Sequence, residues 1–352
     1  MRFLANSWYA AAWSEELTSV PFARRIADHP IVMYRSSSGK PVALLDKCPH
    51  RFAPLSKGKV SADNIACGYH GLTFAPSGTC IRNPFSTTIP AKAKVRSFPI
   101  VEAYTLVWIW MGAEEVADPD LIPDLSIFTQ PASWRPASGY LRVAAHYEIV
   151  LDNLMDLSHL EFLHRGNLGA GNFATGEFTV NQNGDAIEFV LASKGTTAPP
   201  LFDALCPSNG QLVDFTISGR WDGPGIVQLH ATTKFIGPPS REHVTFEGIH
   251  IVVPETETSC HYFYSGLRNM HLHDENLQQV IEQGLLSAFS TEDEPMVVGV
   301  QSRMADLDLF ALHPVLLPMD GAAIRVRRRM KHLIAKESEA SSPKQALPAG
   351  SV

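Results

Sequence analysis

Cys48-Pro-His50 and Cys67-Gly-Tyr-His70 put two thiols and two imidazoles on two short segments, one of each type in each, with sixteen residues between them. Two cysteines can hold one iron of a [2Fe–2S] cluster while two histidines replace cysteines on the other. Neutral imidazoles remove negative charge and raise the potential, giving a one-electron carrier of moderate driving force. A tetrahedral zinc site uses the same residue types, but its usual spacing joins Cys to Cys and His to His. Here each segment carries one of each, beside Pro or Gly, and the mixed-ligand Rieske cluster is the reading the spacing favours.

A second chemical set lies in Ala145 to His164, AHYEIVLDNLMDLSHLEFLH, which carries Asn153, Asp156, His159 and His164. Two histidines close in sequence, completed by a distant carboxylate, make the triad of non-haem Fe(II) oxygenases. Paired histidines on a helix are more often surface or capping residues, yet a redox cluster in the same chain needs an electron sink. In an ideal α-helix His159 and His164 stand about 140° apart. The helix must therefore unwind, kink or bulge near Leu160–Leu163 if both are to meet one ion. For the third ligand, a helix over about 275–302 has an apolar stripe at Leu277, Ile281, Leu285 and Phe289, whose next steps are Asp293 and Val297. Asp293 thus takes a core position, with Glu292 and Glu294 on the flanks. An inward carboxylate needs a partner, and a metal is one; the alternative is a helix already ending in solvent before Pro295. Asp156 lies about one turn before His159, so its carboxylate could accept the distal imidazole N–H and fix the tautomer.

These residues need two kinds of scaffold. Up to about residue 112 the chain reads as β: Ile31–Arg35 and Pro41–Leu45 flank a turn-forming stretch, as do Gly71–Phe74 and Thr79–Ile81, so each cluster segment adjoins a hairpin. Residues 95–101 and 106–110 complete a small sheet, and Asp118-Pro-Asp-Leu-Ile-Pro123 marks a boundary. Beyond it the reading is mixed: a helical stretch over 146–164, strands near 177–192, 212–219, 225–236, 244–253 and 260–267, and helices over 275–302 and 323–336. The expected division is a β domain over 1–112, an α+β domain over 113–336 and a disordered Ser/Pro/Ala-rich tail over 337–352. With 352 residues and a net charge of −7, the chain accommodates two cores and has no basic face for nucleic acid. No apolar run approaches a membrane span, and the N-terminus lacks a secretory pattern. Cys80, Cys206 and Cys260 complete an odd, sparse cysteine set that suits a reducing cytoplasm.

From Asn6 to about Lys336 the chain resembles Rieske non-haem iron aromatic oxygenases, and among them the oxygenase components of vanillate O-demethylase and dicamba monooxygenase. The resemblance is carried by Asn6-Ser-Trp-Tyr9, Cys48-Pro-His-Arg-Phe-Ala-Pro-Leu-Ser56, Cys67-Gly-Tyr-His-Gly-Leu72, Val107-Trp-Ile-Trp110, Asp152-Asn-Leu-Met-Asp-Leu-Ser-His159 and Pro254-Glu-Thr-Glu-Thr258 with its continuation to Phe263. It implies an N-terminal all-β Rieske domain and a helix-grip catalytic domain, an antiparallel sheet around a long helix. It implies a head-to-tail homotrimer in which Asp156 bridges His70 of one chain and His159 of the next. The implied reaction is mono-oxygenation of an aromatic substrate, foremost O-demethylation of a methoxylated aromatic acid to a phenol and formaldehyde. Ring-methyl or ring hydroxylation, N-demethylation and, in another class, simple electron transfer are the rival readings.

His230 and His250, on neighbouring strand-like runs, could line one pocket and receive a carboxylate or phenolate; the alternative is two ordinary hydrogen-bonded strand residues. Gly284 falls where a bulky side chain would close such a pocket, which leaves it roomier. No flavin or nicotinamide fingerprint is present, so a separate reductase or ferredoxin must supply electrons. Lys40, Lys47, Arg51, Lys57 and Lys59 face only Asp46 over residues 40–59 of an acidic chain. This is either a solvated loop surface or a collar that steers an acidic electron donor. The collar reading predicts that reversing Lys57 and Lys59 to Glu slows cluster reduction at low salt and flattens its salt dependence, measured by stopped-flow with the donor protein; an unchanged rate would exclude it.

Overall fold

The computed structural model describes residues 3–169, 172–238 and 243–341. Tight hairpins build its N-terminal part. Three two-residue turns, Ala27-Asp28, Ala62-Asp63 and Tyr104-Thr105, hold both residues at positive φ, the geometry whose twist matches that of paired strands. Three small antiparallel sheets result. Leu106–Trp110 lies between Trp8–Trp13 and Ile100–Ala103; His29–Arg35 lies between Phe22–Ile26 and Pro41–Leu45; and Lys59–Ser61, Asn64–Ala66, Thr73–Phe74 and Cys80–Arg82 follow one another in sequence order. Both turn-flanked pairs expected beside the cluster segments are present. Val32, Tyr34, Leu44, Leu55, Ile65 and Phe74 pack around Cys48 and Cys67 in a core of their own. The sheet carrying Trp8, Trp108 and Trp110 instead joins the larger core of the second domain.

That domain is one seven-stranded antiparallel sheet. Its order is Arg135–Val143, Ser259–Arg268, Val244–Thr256, Ile226–Phe235, Val213–Trp221, Ala186–Thr196 and Glu177–Asn183. Val213–Trp221 shows the pattern cleanly, buried at every odd position and open at every even one, as a sheet with one covered face requires. The helices are α1 (Tyr147–Met155), α2 (Leu160–Leu163), α3 (Pro200–Leu205), α4 (Glu275–Ser287), α5 (Glu294–Gln301) and α6 (Gly321–Ser341). A π-helical segment, Ala288–Asp293, joins α4 to α5.

Several expectations need correcting. The run at 177–192 is two strands folded at Gly184, whose φ is +60°. Arg135–Val143 and α3 were not anticipated: the first is an edge strand without hydrophobic alternation, the second is a short helix. The tail does not begin at residue 337, because α6 runs on to Ser341. The Glu337 carboxylate is buried and accepts the N–H groups of Ala5 and Asn6 at 2.6 and 2.5 Å. A polar composition hides this contact, since it is a long-range clamp on the N-terminus. Residues 342–352 lie outside the described residues.

The two parts are joined by backbone. Ala27 N–H donates to Pro254 O at 2.8 Å and Asp28 N–H to Glu255 O at 3.0 Å. The Arg24 guanidinium stacks over Tyr140 and Phe263 of the second domain at 4.5 and 5.4 Å, contacts favoured by the ring quadrupole. No described helix is long and apolar enough to cross a membrane.

Candidate metal centres and substrate cavity

The two cluster segments are loops of one design. Cys48 N–H donates to Ala53 O and Phe52 N–H to Cys48 O; Cys67 N–H donates to Leu72 O and Gly71 N–H to Cys67 O. In both, the fourth residue after the cysteine is left-handed, Phe52 at φ +60° and Gly71 at +71°. Glycine adopts that conformation freely, whereas a phenylalanine there is strained. The loops bury both cysteines. The Cys48 thiol is pushed up, first by burial and then by the adjacent Cys67 sulfur, while the N–H groups of His50 and Arg51 pull it down. The His50 and His70 rings stand together at 4.6 Å, with His50 exposed. Among the described residues, no three of these four donors converge within 4.8 Å. Sulfurs paired inside and imidazoles paired outside suit a two-iron cluster and do not suit one tetrahedral ion.

Asp293, His159 and His164 do converge, with one ligand atom from each within 4.8 Å of the others. Asp293 Oδ1 lies 3.2 Å from His164 Nε2 and 3.6 Å from His159 Nε2. His159 Nδ1 is 2.5 Å from the Asp156 carbonyl oxygen, and His164 Nδ1 is 2.5 Å from Glu292 Oε2. Those two oxygens can only accept, so each Nδ1 carries the ring proton and each Nε2 presents a lone pair. Two lone pairs and a carboxylate oxygen facing one another in a mostly buried site call for a cation, and this donor set fits Fe(II). Asn153 Nδ2 donates to Asp293 Oδ1 at 3.0 Å and holds the carboxylate in place. The two rings diverge in their titration: burial pushes His159 down, while at His164 the lowering effect of burial is outweighed by Asp293 and then Glu292.

The backbone achieves this by breaks in regular structure. The first lies at Asp156, which is extended at φ −125°, ψ 92° between α1 and a 3-10 turn over Leu157–His159. It therefore precedes His159, not the Leu160–Leu163 stretch where it was expected, and His164 stands just past the end of α2. The second is the π-helical Ala288–Asp293. Steps of four drift about 40° each around an α-helix, so the stripe from Leu277 would turn away before Asp293. The wider π-turn works against further drift over the last step, and Asp293 is buried; such turns recur at functional sites.

Two roles change as a result. The Asp156 carboxylate does not accept from His159 within the chain. It caps the 3-10 turn by accepting Ser158 N–H at 3.0 Å, and the Asp156 carbonyl holds the imidazole. Glu292, expected on a flank, is the partner of His164. Its only sequence signal is adjacency to Asp293 on a segment whose π geometry turns both carboxylates to one site.

Beside the triad lies a cavity of about 90 Å³ between the sheet, α4, α1 and α3. His250 lines it, buried, with Nδ1 2.6 Å from the Tyr262 hydroxyl. His230 does not. Cross-strand register pairs His250 with Val227, so His230, three residues along, faces the other side of the sheet. There it pairs with Glu247 at 2.6 Å and lines a separate outer groove. The two imidazoles thus form no common carboxylate clamp. Gly284 also stands apart: its carbonyl accepts from Asn167 Nδ2 at 2.6 Å, and an added Cβ would meet the Asn167 amide. Of the basic collar, Lys40, Lys47, Arg51, Lys57 and Lys59 are all exposed, and Lys47 Nζ lies 4.7 Å over the Phe52 ring.

A mixed Cys/His cluster cradle, followed by a buried two-histidine, one-carboxylate centre in a sheet-and-helix domain, defines an oxygenase of the Rieske non-haem iron class. Residues 7–99 match the Rieske [2Fe-2S] domain, and residues 143–336 match the vanillate O-demethylase oxygenase C-terminal domain. The chain belongs to this family of oxygenase components, whose cofactors are a [2Fe–2S] cluster and mononuclear non-haem iron. It is 37% identical to the oxygenase component of dicamba O-demethylase from Stenotrophomonas maltophilia, over 95% of this chain and 98% of that one. It is 32% identical to the oxygenase component of chloroacetanilide N-alkylformylase from Rhizorhabdus wittichii, over 95% and 97%. The crystal structure of dicamba monooxygenase bound to dicamba superposes with a TM-score of 0.88 at 36% identity, covering 96% of this chain and 99% of that one.

Glu292 generates a prediction of its own. Replacing a group that orients a metal-bound histidine typically costs about 10–100-fold in metal affinity. Glu292→Gln should weaken Fe(II) binding by that order, measured by titrating protein stripped of its mononuclear iron, with the cluster's visible spectrum unchanged.

Proposed function

We propose that this protein is the terminal oxygenase of an O-demethylating system, with a methoxylated aromatic compound as substrate and electrons from a separate flavin/iron–sulfur reductase or a ferredoxin. Cys48, His50, Cys67 and His70 would hold the cluster, and His159, His164 and Asp293 the iron. The division at 112/113 separates these two tasks. When bound, the two groups supply one-electron transfer and O2 activation, which together oxidise the ether methyl to a hemiacetal that collapses to phenol and formaldehyde.

The residues position this chemistry. Asn153 fixes Asp293, Asp156 O and Glu292 hold the ring protons away from the centre, and the apolar cavity seats the arene and excludes water. The observation that carries the reading is the convergence of three cation-seeking atoms in the same chain as a cluster cradle. An electron carrier has no use for the first. Demethylation is favoured over other oxygenations because dicamba O-demethylase and the vanillate O-demethylase oxygenase subunits are relatives along nearly the whole chain.

The same reading includes a cytoplasmic homotrimer. Five free cysteines suit a reducing compartment. Exposed Phe52, Tyr69 and Phe85 lie beside the cluster loops, and exposed Phe162 lies beside the triad segment, as a contact between copies would require. In that assembly the Asp156 carboxylate faces His70 of the next chain.

The test is a substrate panel with a matched reductase, scored for formaldehyde. Expected are roughly three irons per chain and formaldehyde from at least one methoxyarene. Two irons, or turnover of another class with no formaldehyde, would remove the reading. Asp293→Asn should lose the mononuclear iron. Asp156→Asn retains the carbonyl that holds His159, so it should keep iron and a reducible cluster while nearly abolishing turnover; near-normal turnover would exclude the bridge.

A further inference from the structure

The cavity beside the triad has almost no polar surface on its far side. Phe202, Phe215, Leu229, Phe246 and Phe289 form much of its wall, and among the described residues no Lys or Arg lines it. Away from the triad and Asn153, its polar side chains are His250 and Ser265. The Ser265 hydroxyl is engaged by Ser138 at 2.9 Å. The register partners of Ser265 are Ser138 and Ile249, and Ile249 lines the outer groove; parity therefore turns the Ser265 hydroxyl away from the cavity. That leaves His250 as the polar group a ligand's far end can meet.

The His250 tautomer follows from its neighbour. A phenol is a stronger donor than acceptor, so the Tyr262 hydroxyl donates to Nδ1 and the ring proton sits on Nε2. Nε2 lies on the cavity side, 3.0 Å from where a Cβ on Gly248 would stand. Burial pushes the His250 pKa down to about 4, against the opposing pull of Asp293, so the ring offers one uncharged N–H. At the other end Asp293 and Glu292 are acidic residues set against the two imidazoles, and the described residues there add no Lys or Arg to the cavity. A carboxylate entering this cavity would lose its hydration and meet no Lys or Arg among the described lining residues.

We propose that the site takes an uncharged methoxyarene, with one weak acceptor at its far end received by His250 Nε2, and discriminates against aromatic carboxylates and sulfonates. This rests on the O-demethylation reading, and its test separates the two.

The ligands are the ortho, meta and para methoxynitrobenzenes and the matching methoxybenzoates, since nitro and carboxylate share shape and differ in charge. Binding to the full-length holoprotein with oxidised cluster is measured by calorimetry. At the best ring position the nitro compound should bind at least about tenfold tighter than its benzoate, the size expected of an unpaired buried charge or more. His250→Phe should cost that ligand about three- to tenfold, and His250→Gln, which keeps a donor, should restore part of it. Equal or tighter binding of the benzoates, or no binding of any nitro compound, overturns the proposal. Formaldehyde assays on the same six compounds then distinguish the readings. Release from benzoates alone removes the charge preference and leaves demethylation standing. Nitro-selective binding with no formaldehyde from any methoxyarene supports the preference while removing demethylation.

Discussion

Three acceptors facing one another in an apolar setting is the constraint on which the rest of this structure depends. His159 Nε2, His164 Nε2 and Asp293 Oδ1 lie 3.2 to 3.6 Å apart across the carboxylate, an arrangement that is repulsive until a cation enters. The surroundings enforce it. Asp156 gives up helical geometry so that its carbonyl can accept a hydrogen bond from His159 Nδ1–H, and Glu292 accepts one from His164 Nδ1–H. Asn153 spends a side-chain N–H on the carboxylate. Losing either of the first two contacts would free an imidazole to rotate, and losing the third would free the carboxylate.

The cluster end answers to the opposite requirement. Its thiols are buried in a separate core, but His50 stays exposed, as the proposed passage of electrons to other surfaces would need. Identical loop hydrogen bonding on both segments makes the cradle rigid without large packing around the imidazoles. The strained Phe52, which takes the position that glycine occupies in the other loop, places an aromatic ring at that surface. Backbone strain of this kind persists where the surrounding structure over-determines it.

Much of this was legible in the sequence, for reasons that also explain the failures. The grouping of buried Cys48 and Cys67 with His50 beside His70 was readable because each segment carries one residue of each type. Asp293 was readable because it interrupts an apolar stripe, and its burial followed even though a helix irregularity was expected only in the other helix. Glu292 was missed because helical phase assigns adjacent residues to different faces, and a π-turn changes the phase. The Asp156 carboxylate was misplaced for the same reason: helical spacing to His159 lost its meaning once the helix broke between them. Pairing His230 with His250 failed on parity, since strand register is a tertiary fact that a single strand cannot report. Glu337 was lost to composition, because a long-range carboxylate clamp leaves no local pattern.

Parity also sets the character of the cavity. Along Ile226–Phe235 and Val244–Thr256 the register puts Leu229, Ala231, Phe246, Gly248 and His250 on one face and sends His230 and Glu247 to the other. The sheet thus sorts its charged pair to the outer groove and keeps an almost wholly apolar inner face. That face serves the metal centre and the ligand by one mechanism. Low polarity strengthens the attraction of the three converging donors for a cation, so an ion bound there would be held firmly. Low polarity makes an uncompensated charge costly, so an anion is refused. A single imidazole N–H from His250 is then enough to orient a neutral ring, because away from the triad and Asn153 no other described lining side chain offers a donor to its acceptor.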